Sequence, residues 1–476
     1  MGAGPGGLCM AIRLRQAGFN NFTLFEKSDQ VGGTWNQNRY PGCACDIPSH
    51  LYSFSFEVKP DWSRPYAPQP EILEYLEGIA EKYDLIRSCE FGVPVQSATW
   101  DDAQAKWTLE FEGNRASEEA DIVVSAIGMF NEIVLPEIEG LDQFEGKTFH
   151  SSQWDWDYDL SDKKVGVVGS AASAVQFIPE ITKTGGQIHL FQRSANWVLP
   201  KADAPYSEEE LTHFRTDPDA ANLLRAEIFQ GIDTGTAFTD SGARSEMEAA
   251  GLGNIEVVED EALREKLVPT HPWGCKRPLF SNEYYPAFNE PNLELVTDPI
   301  ERITATGIVT KDGVTREIDT LVLATGFAAT KYLSAIEVQG RDGVRLEEVW
   351  KDGAQAYLGV TTSGFPNLFM LYGPNTNNGS LITMIEFEVD HAMGHIERIA
   401  SEGLAWVDVK ADPMASYNTQ LQEDIEAVEV WGAGCNGYYR SPSGRVVTQW
   451  PHSMSAFGEQ LKEIDPEAFE SKPRSS

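Results

Sequence analysis

The chain has 476 residues, more than a single comfortable core holds, so two or three domains are expected. Its 73 acidic against 37 basic residues leave a net charge of −36. That balance argues against nucleic acid or an anionic membrane surface as partner, because the summed field repels phosphates. The six cysteines are scattered apart from Cys43 and Cys45, with no C-x-x-C pair, and no apolar run approaches a membrane span; both point to a reduced, cytoplasmic protein without disulfides.

In chain order, Gly2-Ala-Gly4-Pro-Gly-Gly7 has the G-x-G-x-x-G form and runs into a helix that Gly18 can terminate. A strand over Phe22–Phe25 then ends at Glu26, about twenty residues past the glycines, where a dinucleotide-binding unit carries the acid that binds a ribose hydroxyl. Only Met1 precedes Gly2, so the buried strand that normally feeds such a turn is absent, and an in-frame upstream strand is expected. Gly33-Thr34-Trp35 and Tyr40-Pro41-Gly42-Cys-Ala-Cys-Asp46 follow. Apolar positions Ile72, Leu73, Leu76, Ile79 and Ala80 have helical spacing, while Trp107–Phe111 and Asp121–Gly128 read as strands.

A second unit begins at Lys164. Its turn, Gly169-Ser170-Ala171-Ala-Ser173-Ala174, keeps the first glycine but has alanine at the second and third positions; the second normally lets backbone approach a pyrophosphate. The next strand, from Gln187, ends in Arg193-Ser194, and an arginine there favours the 2′-phosphate of NADP over a bare ribose. Residues 201–269 are polar, helix-rich and free of motifs. Asp319–Phe327 is a buried strand carrying Ala324-Thr325-Gly326, Phe365–Asn375 a strand and turn at Gly373-Pro374, and Met384–Ile399 a helix whose N-terminal dipole, with the polar Asn375, Thr376 and Asn377 ahead of it, suits negative charge. His391 and His395 are four apart but lack an H-E-x-x-H, so no metal site is expected, and the tail from about Asp465 reads as disordered.

The run Phe144-Glu-Gly146-Lys-Thr-Phe-His150-Ser-Ser-Gln-Trp154-Asp155 ahead of the second unit, paired with the upstream Gly33–Trp35 and Tyr40–Asp46 motifs, resembles the fingerprints of the Baeyer–Villiger monooxygenases. With Lys276-Arg277 and the Ala-Thr-Gly segment, the resemblance covers nearly the whole chain. It implies an α/β fold with two Rossmann-like domains and a helical insertion: an FAD domain over 1–150 and 327–476, an NADP domain over 151–200 and 270–326, and the insertion at 201–269. It implies FAD and NADPH as cofactors, a small-molecule ketone and O2 as substrates, and ester or lactone formation through a flavin peroxide. Arg277 matches the catalytic arginine, and Asp46 would orient it. Cofactor-binding positions are Gly2, Gly4, Gly7, Glu26, Gly33, Thr34, Trp35, Asp46, Tyr52 and Val95 in the first unit. In the second they are Gly169, Ser170, Ala171, Ser173, Ala174, Gln176, Arg193, Ser194, Lys276 and Arg277. His150 and Trp154 fit a hinge role, and Trp431, Tyr438 and Tyr439 are candidates for the pocket wall. An N- or S-oxygenating flavin monooxygenase and a truncated flavoprotein with impaired FAD binding are the alternatives.

Overall fold

The computed structural model describes residues 1–217, 219–235, 241–432, 435 and 437–474. Two parallel nucleotide units organise it. In the first, the strand Leu24–Glu26 pairs with Cys89–Phe91, and Val123–Ser125 pairs with Leu368–Met370. The residues Met1–Ala3 lie between these two pairs. The Met1 amine donates to Val124 O at 2.7 Å, Ala126 N to Met1 O at 2.8 Å, and Gly2 N to Phe25 O at 2.8 Å. The place expected to lack its strand is therefore bridged by the first three residues, which satisfy backbone groups that would otherwise be buried unpaired. The helix Pro5–Gln16 leaves this bridge with Pro5 in its first turn, where a missing N–H costs nothing, and packs against the long helix Leu381–Ser401.

The second unit is a five-stranded parallel sheet in the order Leu293–Val296, Ile188–Phe191, Val165–Val168, Thr320–Leu323 and Lys147–His150. The chain thus enters this unit a few residues before 151. The insertion contains the helices Glu208–Thr216, Ala220–Gly235, Ser241–Ile255 and Glu261–Leu267. Ser207 and Glu210 close a reciprocal capping box at its start, and three glutamates in the first turn complement the helix dipole. A smaller antiparallel sheet is built from Val95–Asp101, Lys106–Phe111 and Glu118–Ala120, with Glu337–Gln339 added in parallel. Among the described residues no helix is long and apolar enough to cross a membrane.

Two expectations are corrected. The tail is ordered through Arg474: Asp465 caps a short turn and Phe469–Pro473 pairs antiparallel with Leu404–Val409. Phe469 drives this docking, since its ring lies 4.4 Å from His395 and 5.8 Å from Tyr357. The cysteines are also not all free. Cys275 and Cys435, 160 residues apart in sequence, meet with Cα atoms 5.5 Å apart and form a disulfide, whereas Cys9, Cys43, Cys45 and Cys89 remain thiols. A pairing that distant leaves no local spacing to read.

Candidate active site

The two glycine turns face one another across a cavity of about 1690 Å³, well beyond the roughly 300–1,000 Å³ of a pocket for one drug-sized ligand. Each turn is shaped by the same contact. Gly2 has φ +93°, and a Cβ there would lie 2.5 Å from Ala126 O; Gly169 has φ +106°, and a Cβ would lie 2.4 Å from Ala324 O. In both units the first glycine crosses over the end of the neighbouring strand, a path that a side chain forbids. Gly4 and Gly33 also touch, since a Cβ on Gly33 would lie 2.7 Å from Gly4 Cα. The helices Pro5–Gln16 and Ala172–Thr184 start directly behind these turns and present unpaired N–H groups to the cavity, a cradle suited to pyrophosphate.

Of the positions assigned from sequence, eighteen line this cavity: all but Gly7 and Ala174. Those two lie beneath the turns. A Cβ on Gly7 would meet Gly2 O at 2.0 Å, and Ala174 is fully buried, so both serve the close packing of helix on strand. Ala171 caps its helix in an extended conformation and lies at the cavity wall. Glu26 is almost fully buried, and its carboxylate is fixed by Ala3 N at 2.7 Å and Ser28 N at 2.8 Å. The Trp35 indole donates to the Tyr52 hydroxyl at 3.1 Å, and the two rings stand edge to face.

Gln176 ties the two units together. Its amide oxygen accepts from the Tyr40 hydroxyl at 2.9 Å, and its amide nitrogen donates to Ala44 O at 2.9 Å. Gly42 has φ +72°, and a Cβ there would lie 2.6 Å from Gln176 O, which explains the glycine of the Tyr-Pro-Gly segment: it lets the second unit's helix close on the first unit's loop. That docking brings Asp46 to Arg277. Arg277 Nη2 donates to both carboxylate oxygens at 2.7 Å and Nε donates at 3.1 Å. The Asp46 charge holds the guanidinium pKa well above its ordinary value, against the effect of burial. One residue earlier in the chain, Lys276 Nζ donates to Ser194 Oγ at 2.8 Å, and burial followed by the neighbouring Arg193 charge lowers its pKa. Arg193, Ser194 and Lys276 thus gather positive charge with hydrogen-bond donors at one corner of the cavity.

Other sequence candidates fall elsewhere. His150 is buried, with Nδ1 2.8 Å from Ser152 Oγ and its ring 5.7 Å from Phe327, and burial lowers its pKa. Trp154 packs between Phe149 and Phe177, each 5.2 Å away. Neither lines the cavity. In the loop before the helix Leu381–Ser401, Asn375 and Thr376 turn inward to backbone oxygens, so only Asn377 of the three faces the cavity, and it accepts a hydrogen bond from the Tyr372 hydroxyl. Tyr372 lines the cavity with φ +57° and was not singled out by sequence; its position before Gly373-Pro374 is the only signal it offers. Of the three aromatic wall candidates, Tyr438 lines the cavity, while Trp431 and Tyr439 are buried behind it.

Comparison with known proteins agrees with this geometry. Residues 1–226 match the family model described as pyridine nucleotide-disulphide oxidoreductase. A Baeyer-Villiger monooxygenase of Pseudomonas aeruginosa is 41% identical over 98% of this chain and 90% of its own length, and one of Streptomyces coelicolor is 38% identical over the same shares. Among solved structures, a cyclohexanone monooxygenase from Rhodococcus sp. Phi1 bound to NADP+ superposes with a TM-score of 0.89 at 31% identity. An oxidized steroid monooxygenase bound to NADP does so with 0.87 at 31% identity, and both comparisons cover 99% of this chain and 98% of the other. Two glycine turns facing one cavity, an arginine clamped at their junction and relatives alike over 98% of this chain lead to one conclusion: the chain belongs to the Baeyer–Villiger monooxygenases, enzymes that work with FAD and NADP.

Proposed function

We propose that this enzyme uses NADPH and O2 to insert an oxygen atom next to a ketone carbonyl, giving an ester or lactone. The observation that carries this reading is the Arg277–Asp46 clamp at the junction of the two nucleotide units. Bound FAD and NADPH supply the reducing equivalents and the activated oxygen. The residues present fit both groups: the turn at Gly2 and Gly4 leaves room for one pyrophosphate, the turn at Gly169 for another, and the Arg193–Lys276 corner has the charge for a 2′-phosphate.

The chain's own part is electrostatic and positional. Arg277 places a permanent positive charge where negative charge develops during oxygen transfer, and a guanidinium cannot lose that charge at any working pH. Asp46 fixes the plane of the guanidinium through both oxygens of its carboxylate, so the donor is oriented before the substrate arrives. Gln176 and Gly42 hold the loop that carries Asp46 against the second unit. His150 and Trp154, packed at the start of that unit, suit the fixing of the interdomain geometry.

The test is direct: purified protein with bound flavin is supplied with NADPH, O2 and a panel of cyclic, linear and aromatic ketones, and products are separated by mass. Esters or lactones carrying one atom of 18O from labelled O2 are expected. Flavin-dependent NADPH oxidation with oxygenated amines or sulfides and no ester from any ketone would overturn the reading in favour of heteroatom oxygenation.

A further inference from the structure

The turn just after Trp154 displays an aromatic side chain to solvent. Trp156 is 63% exposed, more than any other large apolar side chain among the described residues. It is nevertheless committed: its indole N–H donates to Arg39 O at 2.8 Å, across 117 residues and from the second nucleotide unit to the first. A ring left in water contributes little burial, so the hydrogen bond is what this position gains from an indole.

Both ends of the contact are stiff. The turn is rooted in the second unit's sheet. Asp155 pairs with Lys147 of the edge strand, its Oδ1 accepts from Asp157 N at 3.1 Å and its backbone O from Tyr158 N at 3.3 Å, and the Tyr158 hydroxyl accepts from Thr320 Oγ1 at 3.3 Å on the neighbouring strand. On the other side the Arg39 side chain folds back, with Nε donating to Asn36 O at 2.8 Å, and Asn38 Nδ2 donates to Thr34 O at 3.0 Å. The loop from Arg39 to Asp46 is thus gripped by the second unit at successive stations: Arg39 O by Trp156, the Tyr40 hydroxyl and Ala44 O by Gln176, and Asp46 by Arg277. Gln176 is a single side chain about which the loop can rock, and an attachment at the end remote from Asp46 removes that freedom.

We propose that Trp156 is a positioning residue for the Asp46–Arg277 clamp, its indole N–H fixing the Arg39 end of the loop so that Asp46 keeps its register with Arg277. This rests on the reading that the clamp serves oxygen transfer. With the Arg39 end released, the guanidinium holds its working orientation for a smaller share of the time, and more of the NADPH and O2 ends as NADP+ and hydrogen peroxide in place of ester.

The experiment uses the flavin-loaded enzyme and Trp156→Phe, which keeps an aromatic ring and removes the N–H, with Trp156→Ala beside it. Product formed per NADPH consumed should fall about three- to tenfold in both, the scale of one hydrogen bond, with KM for NADPH and the anaerobic rate of flavin reduction within about twofold. A merely structural role would lower the thermal midpoint and leave product per NADPH unchanged. Hydrogen exchange should rise over residues 39–46 in Trp156→Phe. In an Asp46→Asn background Trp156→Phe should add no further loss, because both changes act on one clamp. Undiminished coupling in Trp156→Phe, a loss confined to Trp156→Ala, or losses that multiply in the Asp46→Asn background would each overturn the proposal. Unmodified enzyme that oxidises no ketone would instead refute the functional reading, while hydrogen exchange over 39–46 still decides whether the indole holds the loop.

Discussion

Replacing Arg277 by alanine separates the chemistry from everything that precedes it. The guanidinium makes three contacts of 2.7–3.1 Å with Asp46, and the two side chains are 35% and 23% exposed, so the charge sits in a corner where water screens its field only in part. Removing a preorganised donor of this kind costs about 2.7–4 kcal/mol of transition-state stabilisation, or about a hundred- to a thousandfold in rate. The proposed function places FAD and NADPH recognition at the two glycine turns and the Arg193–Lys276 corner, so flavin content and the anaerobic rate of flavin reduction by NADPH should be close to normal in Arg277→Ala. Ester formation should collapse, with NADPH consumption diverted to hydrogen peroxide.

Alanine also strands the Asp46 carboxylate without its counter-charge, which costs stability of about 1–3 kcal/mol. The double variant Arg277→Ala/Asp46→Ala should recover most of that stability and none of the rate. Arg277→Lys should be intermediate in rate, since an ammonium keeps the charge but cannot span both carboxylate oxygens in one plane. The measurements are stopped-flow reduction, ester and peroxide yields per NADPH, and the thermal midpoint. Undiminished ester yield in Arg277→Ala, or recovery of rate in the double variant, would refute the assignment.

Gly169→Ala puts a methyl 2.4 Å from Ala324 O at positive φ, so the purified protein should stay yellow yet fail to be reduced by NADPH; normal reduction would show that the second turn does not hold the coenzyme. Arg193→Ala should erode the preference for NADPH over NADH through KM, because the contact is remote from the transferring hydride, and equal kcat/KM for the two coenzymes in the unmodified enzyme would refute the corner's role. Phe469→Ala should lower stability by about 3–5 kcal/mol by emptying its site beside His395 and Tyr357, with flavin content unchanged; an unaltered thermal midpoint would contradict that packing. Burial raises the Glu388 carboxyl to about 8. It stays protonated in the fold while the unfolded chain ionises above its ordinary value, so stability should fall as pH rises toward 8, at up to about 1.4 kcal/mol per unit. Glu388→Gln should flatten that fall between pH 5.5 and 7.5, and parallel profiles would refute the assignment.

What could be read from sequence is what local geometry imposes on residue type. The turns at Gly2 and Gly169 demand positive φ and backbone contact, so they leave glycine in a fixed order. The Arg277–Asp46 clamp spans 231 residues and was accessible only through resemblance to a family, since neither residue alone is distinctive. Longer-range facts left no such trace. Three residues at the start of the chain have no periodicity, yet they bridge two strand pairs because unpaired groups on both sides require it. The terminal strand looks polar because only Phe469 of Phe469–Pro473 is buried. Tyr372 and Tyr438 reach the cavity through tertiary placement, in segments whose composition resembles any other loop. Gly7 and Ala174 belong to the motifs of their turns but face the packing side and not the cavity, a distinction that a motif does not encode.

The acidic surplus and the phosphate-bearing coenzymes are compatible because the two operate over different distances. At physiological salt, exposed charges fade over about 8 Å, so glutamates on solvated helices such as Glu208–Thr216 do little inside the cavity. Two of the carboxylates that line the cavity are already committed: Glu26 to two backbone N–H groups and Asp46 to Arg277. Lys276 is committed only to a hydroxyl, and among the described residues neither it nor Arg193 enters an ion pair with a carboxylate. On the proposed reading that charge serves the 2′-phosphate of NADPH, since burial and the neighbouring Arg193 both disfavour the Lys276 ammonium and a phosphate dianion would favour it. If the proposed reading holds, selectivity for NADPH in so acidic a protein depends on which few charges are left unpaired.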